Sequence, residues 1–361
     1  MKKAPAMMFV LVLASSLLLI LPMHVNAASR TIVVPDDYAT IQEAINNAAE
    51  GDTIYVKAGV YVENPIVNKT VSLVGEDRDS TVIDVTAGLK VESNNVTITG
   101  LTIYDGWQGI SVSANCCSIF GNKITDATNG VVLFGFENNV TGNIFQSIGL
   151  SSAIQLNFAD RNLINNNYID SCVEGIQIWQ NSNNNTVTGN TITNCQYTAI
   201  NFQYSNDNVL AGNNISRSGL GTSIYGSNRN TISNNNYVDN TVQFGANESY
   251  YLTWGGNVSV NTINENYWSD YNGTDANGDG VGDTPYVIDA NNEDPRPLMK
   301  STVIPELSAD GTSSNAELPD GTGNTETDAN AFPSLLVWAV AVAVVVVVAV
   351  VVLSYVKKRK R

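Results

Sequence analysis

Few residues in this chain are equipped for chemistry, and one type is nearly absent. The 361 residues include a single histidine, His24, which lies in an apolar N-terminal stretch that reads as a leader. Without imidazole the rest of the chain builds neither a Ser-His-Asp nor a Cys-His nucleophile, and it lacks the usual nitrogen ligands for zinc or copper. Acid–base work then falls to carboxylates and guanidinium groups. Asp105 and Asp126, like Arg217 and Asp239, take equivalent places in successive units of a repeat. Two stacked carboxylates can split their pKa values and serve as acid and base. The commoner role for such residues is a solvated turn.

Three other constellations stand out. Phe134, Gln155, Asn157, Gln177, Trp179, Asn201 and Gln203 alternate with aliphatic residues, so they point away from a core; amides and aromatic rings suit sugar hydroxyls and pyranose faces, although a plain polar flank has the same pattern. Asp275, Asn277, Asp279, Val281 and Asp283, with Gly280 between, follow the spacing of a calcium loop, but Tyr286 stands where such a loop has its bidentate Glu. Calcium is therefore expected as a structural tie; the alternative is an Asp-Asn-Gly turn. Cys172 and Cys195 sit at the same place in consecutive repeats, where stacking at ~4.8 Å allows either a disulfide or an apolar pair. Cys116 and Cys117 read as packing residues.

The repeat positions all of these. Leu101, Asn122, Asn143, Asn167, Asn190, Asn213, Asn235 and Asn266 form one column with steps near 22 residues. Each unit holds short phrases alternating apolar and polar, the strand period. Parallel strands normally need a helical crossover, and these units have no room for one. The expectation is an all-β coil, with one turn of about 22 residues stacked on the next. Ile98, Ile119, Val140, Ile164, Val187, Leu210, Ile232 and Ile263 then fill its interior, and the asparagines form a ladder between rungs. Thr40 and Glu43 make a capping box for a helix over Thr40–Ala49 with Gly51 as its stop, a cap for the open N-terminal end.

The termini suggest export and anchoring. Residues 1–27 resemble a signal peptide, residues 333–356 a transmembrane helix, and residues 357–361 a basic cytoplasmic tail. Residues 301–332, rich in Ser, Thr, Gly and acids, read as a disordered stalk. The folded part is expected over 28–300, with repeats at about 86–270 and the calcium-loop-like segment at 271–299. This organisation places a single-pass protein in the cell membrane with its ectodomain outside. Setting aside the basic residues of leader and tail leaves 11 basic against 34 acidic side chains, a surface that repels phosphate backbones, so nucleic acid is not expected as a partner. Asn68, Asn95, Asn139, Asn184, Asn214, Asn247, Asn257 and Asn272 begin Asn-x-Ser/Thr sequons open to glycosylation in an exported chain.

Tyr38-Ala39-Thr40-Ile41-Gln42-Glu43-Ala44-Ile45, Gly51-Asp52-Thr53-Ile54-Tyr55-Val56 and the Gly-Asn-x-Ile repeats resemble the right-handed parallel β-helix proteins of the pectin-lyase-like group. Asn266-Tyr267-Trp268-Ser269-Asp270-Tyr271, Gly282-Asp283-Thr284-Pro285-Tyr286 and Pro297-Leu298 are similar to its NosD-type branch, known for carbohydrate-binding and sugar-hydrolase repeats. The resemblance implies a β-helix that binds carbohydrate or serves adhesion, with a polysaccharide lyase or glycoside hydrolase as the alternative. Gly59-Val60-Tyr61-Val62-Glu63 is similar to a pectin methylesterase motif, but that family's later catalytic residues are missing, and a polygalacturonase's Gly-His-Gly cannot occur. A lyase base could come from Lys123, Arg161, Arg217 or Arg229. Copper, which the NosD resemblance implies, would find no histidine and only Met299 beyond the leader.

Overall fold

The computed structural model describes residues 29–246, 259–307 and 313–314. The chain divides into two compact units, residues 1–316 and 317–361, and the described residues all lie in the first. The leader, most of the stalk, the apolar run at 333–356, the basic tail, and the sequons Asn247 and Asn257 fall outside the described residues. Among the described residues no helix is long and apolar enough to cross a membrane.

Short strands stack into three parallel sheets of eleven, ten and nine members, so the chain coils through about ten turns. Sheet A runs from Thr31–Val34 to Thr262–Asn264, sheet B from Gly59–Val62 to Tyr267–Trp268, and sheet C from Ile66–Val67 to Val242–Ala246. In-register pairing puts Ile98, Ile119, Val140, Ile164, Val187, Leu210, Ile232 and Ile263 in one interior column of sheet A, all at most 3% exposed. Each buried isoleucine contributes about 1.5–3 kcal/mol of transfer free energy.

Sharp corners let so short a turn close. The A-to-B corner places Gly100, Gly121, Gly142, Gly189 and Gly212 at positive φ, and Asn166, Asn234 and Glu265 take the same conformation on other rungs. Glycine pays no Cβ penalty there, and Asn tolerates it better than most residues.

The expected asparagine ladder is present and fully buried. Along it each amide oxygen accepts from the backbone N–H and, from Asn122 onward, also the side-chain amide of the asparagine one rung earlier, as where Asn167 N and Nδ2 both reach Asn190 Oδ1 at 2.9 Å. A second ladder, unread in the sequence, runs through Asn138, Asn162, Asn185, Asn208, Asn230, Asn261 and Asn292. Both end on carboxylates. Asn292 Nδ2 donates to Asp289, and Asp294 accepts from Asn266 N, Asn266 Nδ2, Trp268 Nε1, Glu265 N and Arg296 N. An acid suits that place because the last member needs only to accept.

Helix α1 (Ile41–Asn47) ends two residues earlier than expected, at an extended Ala48 rather than at Gly51. Thr40 accepts from Glu43 N as the capping box requires. The other half of the cap comes from Glu63, whose two oxygens take Ile41 N and Gln42 N at 2.9 Å. Glu63, the acid of the esterase-like motif, is thus a helix cap. At the far end Trp268 is stacked between Tyr237 at 4.5 Å and Tyr286 at 4.4 Å, closing the core. Part of the segment that the sequence reads as a stalk is paired in the structure. Thr302 is still held on sheet B, its N–H reaching Asn236 Oδ1 at 2.9 Å and its carbonyl accepting from Asn236 Nδ2 at 2.8 Å, and Glu306–Leu307 pairs with Ser313–Ser314.

Candidate functional site

Sheet C differs from the other two in strand length. Its central strands run five or six residues, from Asn129–Leu133 through Ser152–Asn157, Glu174–Trp179 and Thr198–Gln203 to Leu220–Tyr225, against three on most rungs of sheets A and B. That length gives it a broad outward face of three columns. The inward positions hold Ile154, Ile176, Ile200 and, two residues on, Leu156, Ile178 and Phe202. Alternation sends the residues between them outward.

All seven amide and aromatic residues anticipated for carbohydrate come together here. The middle column reads Ser111, Val132, Gln155, Gln177, Asn201, Ser223, and the third reads Asn157, Trp179, Gln203, Tyr225 with Phe134 one rung before. Gln155 Nε2 donates to Gln177 Oε1 at 2.7 Å, which locks those two amides along the stack. Phe134 is 44% exposed, while Asn157, Asn201 and Gln203 are nearly enclosed at 9, 5 and 8%. Phe158 at 57% and Tyr204 at 39% flank the third column just beyond the strand ends.

The first column was missed in the sequence. It contains Gln108, Asn129, Ser152, Glu174 and Thr198, which strict alternation would turn inward with Ile154 and Ile176. A Cβ on Gly130 or Gly175 would instead meet the interior Phe145 or Ile192, so the alternation breaks here and the five take the opposite side. Its one acid, Glu174, is 7% exposed and accepts from Ser152 Oγ at 3.3 Å. Burial pushes its pKa above the usual carboxylate range, with the serine bond opposing. A glutamate at the head of an Ile-x-Ile strand was the available signal, visible only once the rungs are in register.

Three amide oxygens on this face, Asn129 Oδ1, Asn157 Oδ1 and Asn201 Oδ1, are buried without a partner among the described residues. Asn129 Nδ2 donates to Trp107 O at 3.3 Å, which leaves its oxygen as the free end. A buried acceptor without a donor costs about 1–3 kcal/mol. All three belong to residues of these columns of sheet C.

The other candidates lie elsewhere. Asp105, Asp126, Arg217 and Asp239 fall in a single corner column ahead of sheet C, all exposed and all at positive φ. Arg217 Nη2 donates to Thr193 Oγ1 and Asp126 Oδ2 accepts from Thr125 Oγ1, the bonds of turn residues. In the segment Asp275–Asp283 the carboxylates turn onto their own loop: Asp275 accepts from Gly278 N, Asp279 N and Gly280 N, Asp279 from Val281 N and Asn277 Nδ2, and Asp283 from Ala276 N. Among the described residues no three His, Cys, Asp or Glu side chains converge as metal ligands. Cys172 and Cys195 are free thiols buried in the core. Desolvation raises the Cys172 pKa to about 12 and holds the Cys195 pKa well above the ordinary thiol range. Cys195 shares its interior column with Ser218, which gives it a ladder position. Of the described sequons, Asn68, Asn95, Asn184 and Asn272 are exposed and Asn139 and Asn214 half-buried.

Comparison with known proteins follows the fold. No curated protein matches the chain significantly. A PL6 alginate lyase solved in complex with a trisaccharide is 16% identical, covering 74% of this chain and 69% of its own, with a TM-score of 0.52. An alginate lyase from Paenibacillus sp. str. FPU-7 is 17% identical over 65% of this chain and 97% of its own, TM-score 0.44. The catalytic domain of a GH87 α-1,3-glucanase in complex with nigerose is 14% identical over 67% of this chain and 59% of its own, TM-score 0.48. At such identities the likeness is one of fold, the pectin-lyase-like right-handed β-helix. A family model described as periplasmic copper-binding protein (NosD) matches residues 45–273, more than half of the chain, and on that ground the chain belongs to the NosD family.

Proposed function

We propose that the outward face of sheet C binds a glycan, and that the chain displays this face at the cell surface. The carrying observation is the in-register set of amides and rings, Gln155, Gln177 and Asn201 in one column and Asn157, Trp179 and Gln203 in the next, in which Asn157 Oδ1 and Asn201 Oδ1 have no partner among the described residues. Sugar hydroxyls supply the missing donors, and Trp179, Phe134 and the flanking Phe158 and Tyr204 offer apolar rings to pyranose faces. A parallel solenoid repeats this offer once per rung, which suits a polymer better than a single small molecule. The structural neighbour solved with a trisaccharide supports the reading by analogy of fold. Surface display rests on the leader-like, apolar and basic segments of the sequence.

The family's description names copper, and the residues present do not suit it. The thiols of Cys117, Cys172 and Cys195 are packed in the hydrophobic core, where the thiolate form is disfavoured, Cys116 stands on a corner without a second soft donor in its column, and Met299 is the only methionine among the described residues.

One observation favours turnover as a second reading, a lyase or hydrolase. Glu174 is a buried carboxyl with a raised pKa at the head of the strand that carries Gln177 and Trp179, the setting in which a carboxylic acid serves as proton donor. Hydrolysis would need a second carboxylate facing it. Between Ser111 and Tyr225 the three columns contain none, so binding is the better supported function.

Affinity electrophoresis of the full chain against a polysaccharide panel tests the site. Trp179→Ala is expected to weaken binding roughly tenfold or more, the scale of one lost ring contact. Binding that is unchanged in Trp179→Ala and in Gln177→Ala removes this face from consideration. Release of reducing ends that disappears in Glu174→Gln would transfer the assignment to the enzymatic reading.

A further inference from the structure

The face that meets the glycan also carries a charge pattern, and this pattern restricts which glycan fits. The middle and third columns begin with Lys90 and Glu92 on an early rung, beneath Ser111 and Ser113. From Ser111 to Tyr225 the three columns then contain no lysine or arginine, and their one acid or base is Glu174. The cations at the rim are already engaged. Arg161 Nε lies 3.0 Å from Glu137 Oε1, the Arg229 guanidinium bonds Asp207 at 2.6 and 2.8 Å, and Arg217 donates to Thr193 Oγ1 and Asn194 Oδ1. The chain as a whole is acidic, with a formal net charge of −16.

The buried side-chain atoms left unpartnered on this face are acceptors: Asn129 Oδ1, Asn157 Oδ1 and Asn201 Oδ1. A ligand must bring donors to satisfy them. Neutral sugars carry hydroxyls that donate as readily as they accept. A carboxylate, sulfate or phosphate brings a full charge, and on this face it would meet only neutral amides and Glu174, with no lysine or guanidinium to offset its desolvation.

Resting on the glycan-binding reading, we infer that the ligand of this face is an uncharged polysaccharide, a chain of neutral sugar residues, and that polyuronates and sulfated glycans are rejected by its lining. The inference sets this chain apart from the alginate-directed neighbours that share its fold. The carboxylates of a polyuronate are held most strongly by cationic donors, and here the neutral amides of Gln155, Gln177 and Asn201 occupy that line.

The test is retention of the purified full chain on immobilised neutral polysaccharides (a glucan, a mannan, a galactan) and on alginate, polygalacturonate and a sulfated glycan, at low and high salt. Retention by at least one neutral polymer, at least tenfold stronger than by any polyanion at low salt, supports the inference. Equal or stronger retention by a polyanion that Trp179→Ala abolishes overturns it and leaves the glycan-binding face intact. No retention by any polymer overturns both. A second arm uses Gln177→Lys, which places a cation in the middle column, with circular dichroism reporting that the coil is intact. Alginate retention at low salt should rise tenfold or more in this variant and fall again with salt. A folded Gln177→Lys chain that gains no alginate retention counts against the inference.

Discussion

Asn190 gives the sharpest test of how the coil is held. Its side chain is fully buried; Nδ2 donates to Ile164 O at 3.0 Å, Thr188 O at 3.1 Å and Asn213 Oδ1 at 3.0 Å, and Oδ1 accepts from Asn167 N and Nδ2. In Asn190→Ala the Asn167 N–H loses its acceptor, and Ile164 O and Thr188 O lose the donor they shared. Asn167 Nδ2 keeps Val140 O at 2.8 Å, and Asn213 Oδ1 keeps the Asn190 backbone N–H at 2.9 Å, so those two are not orphaned. A buried orphan costs about 1–3 kcal/mol, and a carbonyl with a second bond costs less, so the expected loss is about 3–5 kcal/mol. Asn190→Asp keeps the shape and both acceptor contacts, yet it turns an anionic oxygen towards three acceptors. It should lose more than the alanine variant, because an unpaired buried charge alone costs about 3–5 kcal/mol. Asp294→Asn, at the terminus where the side chain only accepts, should lose far less than Asn190→Asp. The assay is urea unfolding of the full chain followed by far-UV circular dichroism, with hydrogen exchange on the rungs around Asn167 and Asn213 to detect local opening. An Asn190→Asp chain as stable as the parent would refute the donor–acceptor account of the ladder.

Three further outcomes are expected. Iodoacetamide should label Cys116, the exposed thiol, in the native chain, and Cys117, Cys172 and Cys195 only after unfolding; two reactive thiols instead of four under denaturant would instead reveal a Cys172–Cys195 disulfide. Glu174 binds its proton more tightly folded than unfolded, so its contribution favours the fold below the usual carboxylate range and is lost as pH rises from the unfolded pKa through the raised folded one. Chemical denaturation between pH 4 and pH 8 should therefore show a fall in stability with rising pH that is smaller in Glu174→Gln, and an identical profile in the variant would contradict the burial of this acid. In Gly175→Ala the new Cβ would sit 2.3 Å from Ala199 O and 2.8 Å from Ile192 Cγ2, so backbone must move and the melting temperature should fall by several degrees; an unchanged value would mean the strand has room that the packing denies.

The architecture was legible because its determinants are local and repeated. A period near 22 with alternating Ile and Asn leaves a coil as the economical solution, and the same column of eight residues, led by Leu101 and Asn122, reappears as buried ladder members. Where reading fell short, the cause was register. The second ladder through Asn138, Asn162 and Asn185 was hidden because its members fall in stretches that read as ordinary Asn-rich turns. Glu174 was hidden because a single acid in a column with Asn129, Ser152 and Thr198 has no periodic signature. The attractive carboxylates at Asp105 and Asp126 share a column, but it is a left-handed corner that favours short polar side chains for conformational reasons alone. The same distinction separates stability from function across the coil. A column that repeats one residue type on every rung is selected by the rung above and below it, whereas the outward face of sheet C changes from Val132 to Gln155, Gln177, Asn201 and Ser223 while the inward column beside it stays aliphatic from Val131 to Ile200. Variation on a fixed frame, ending in acceptors the chain itself leaves unpaired, is where a ligand has something to read.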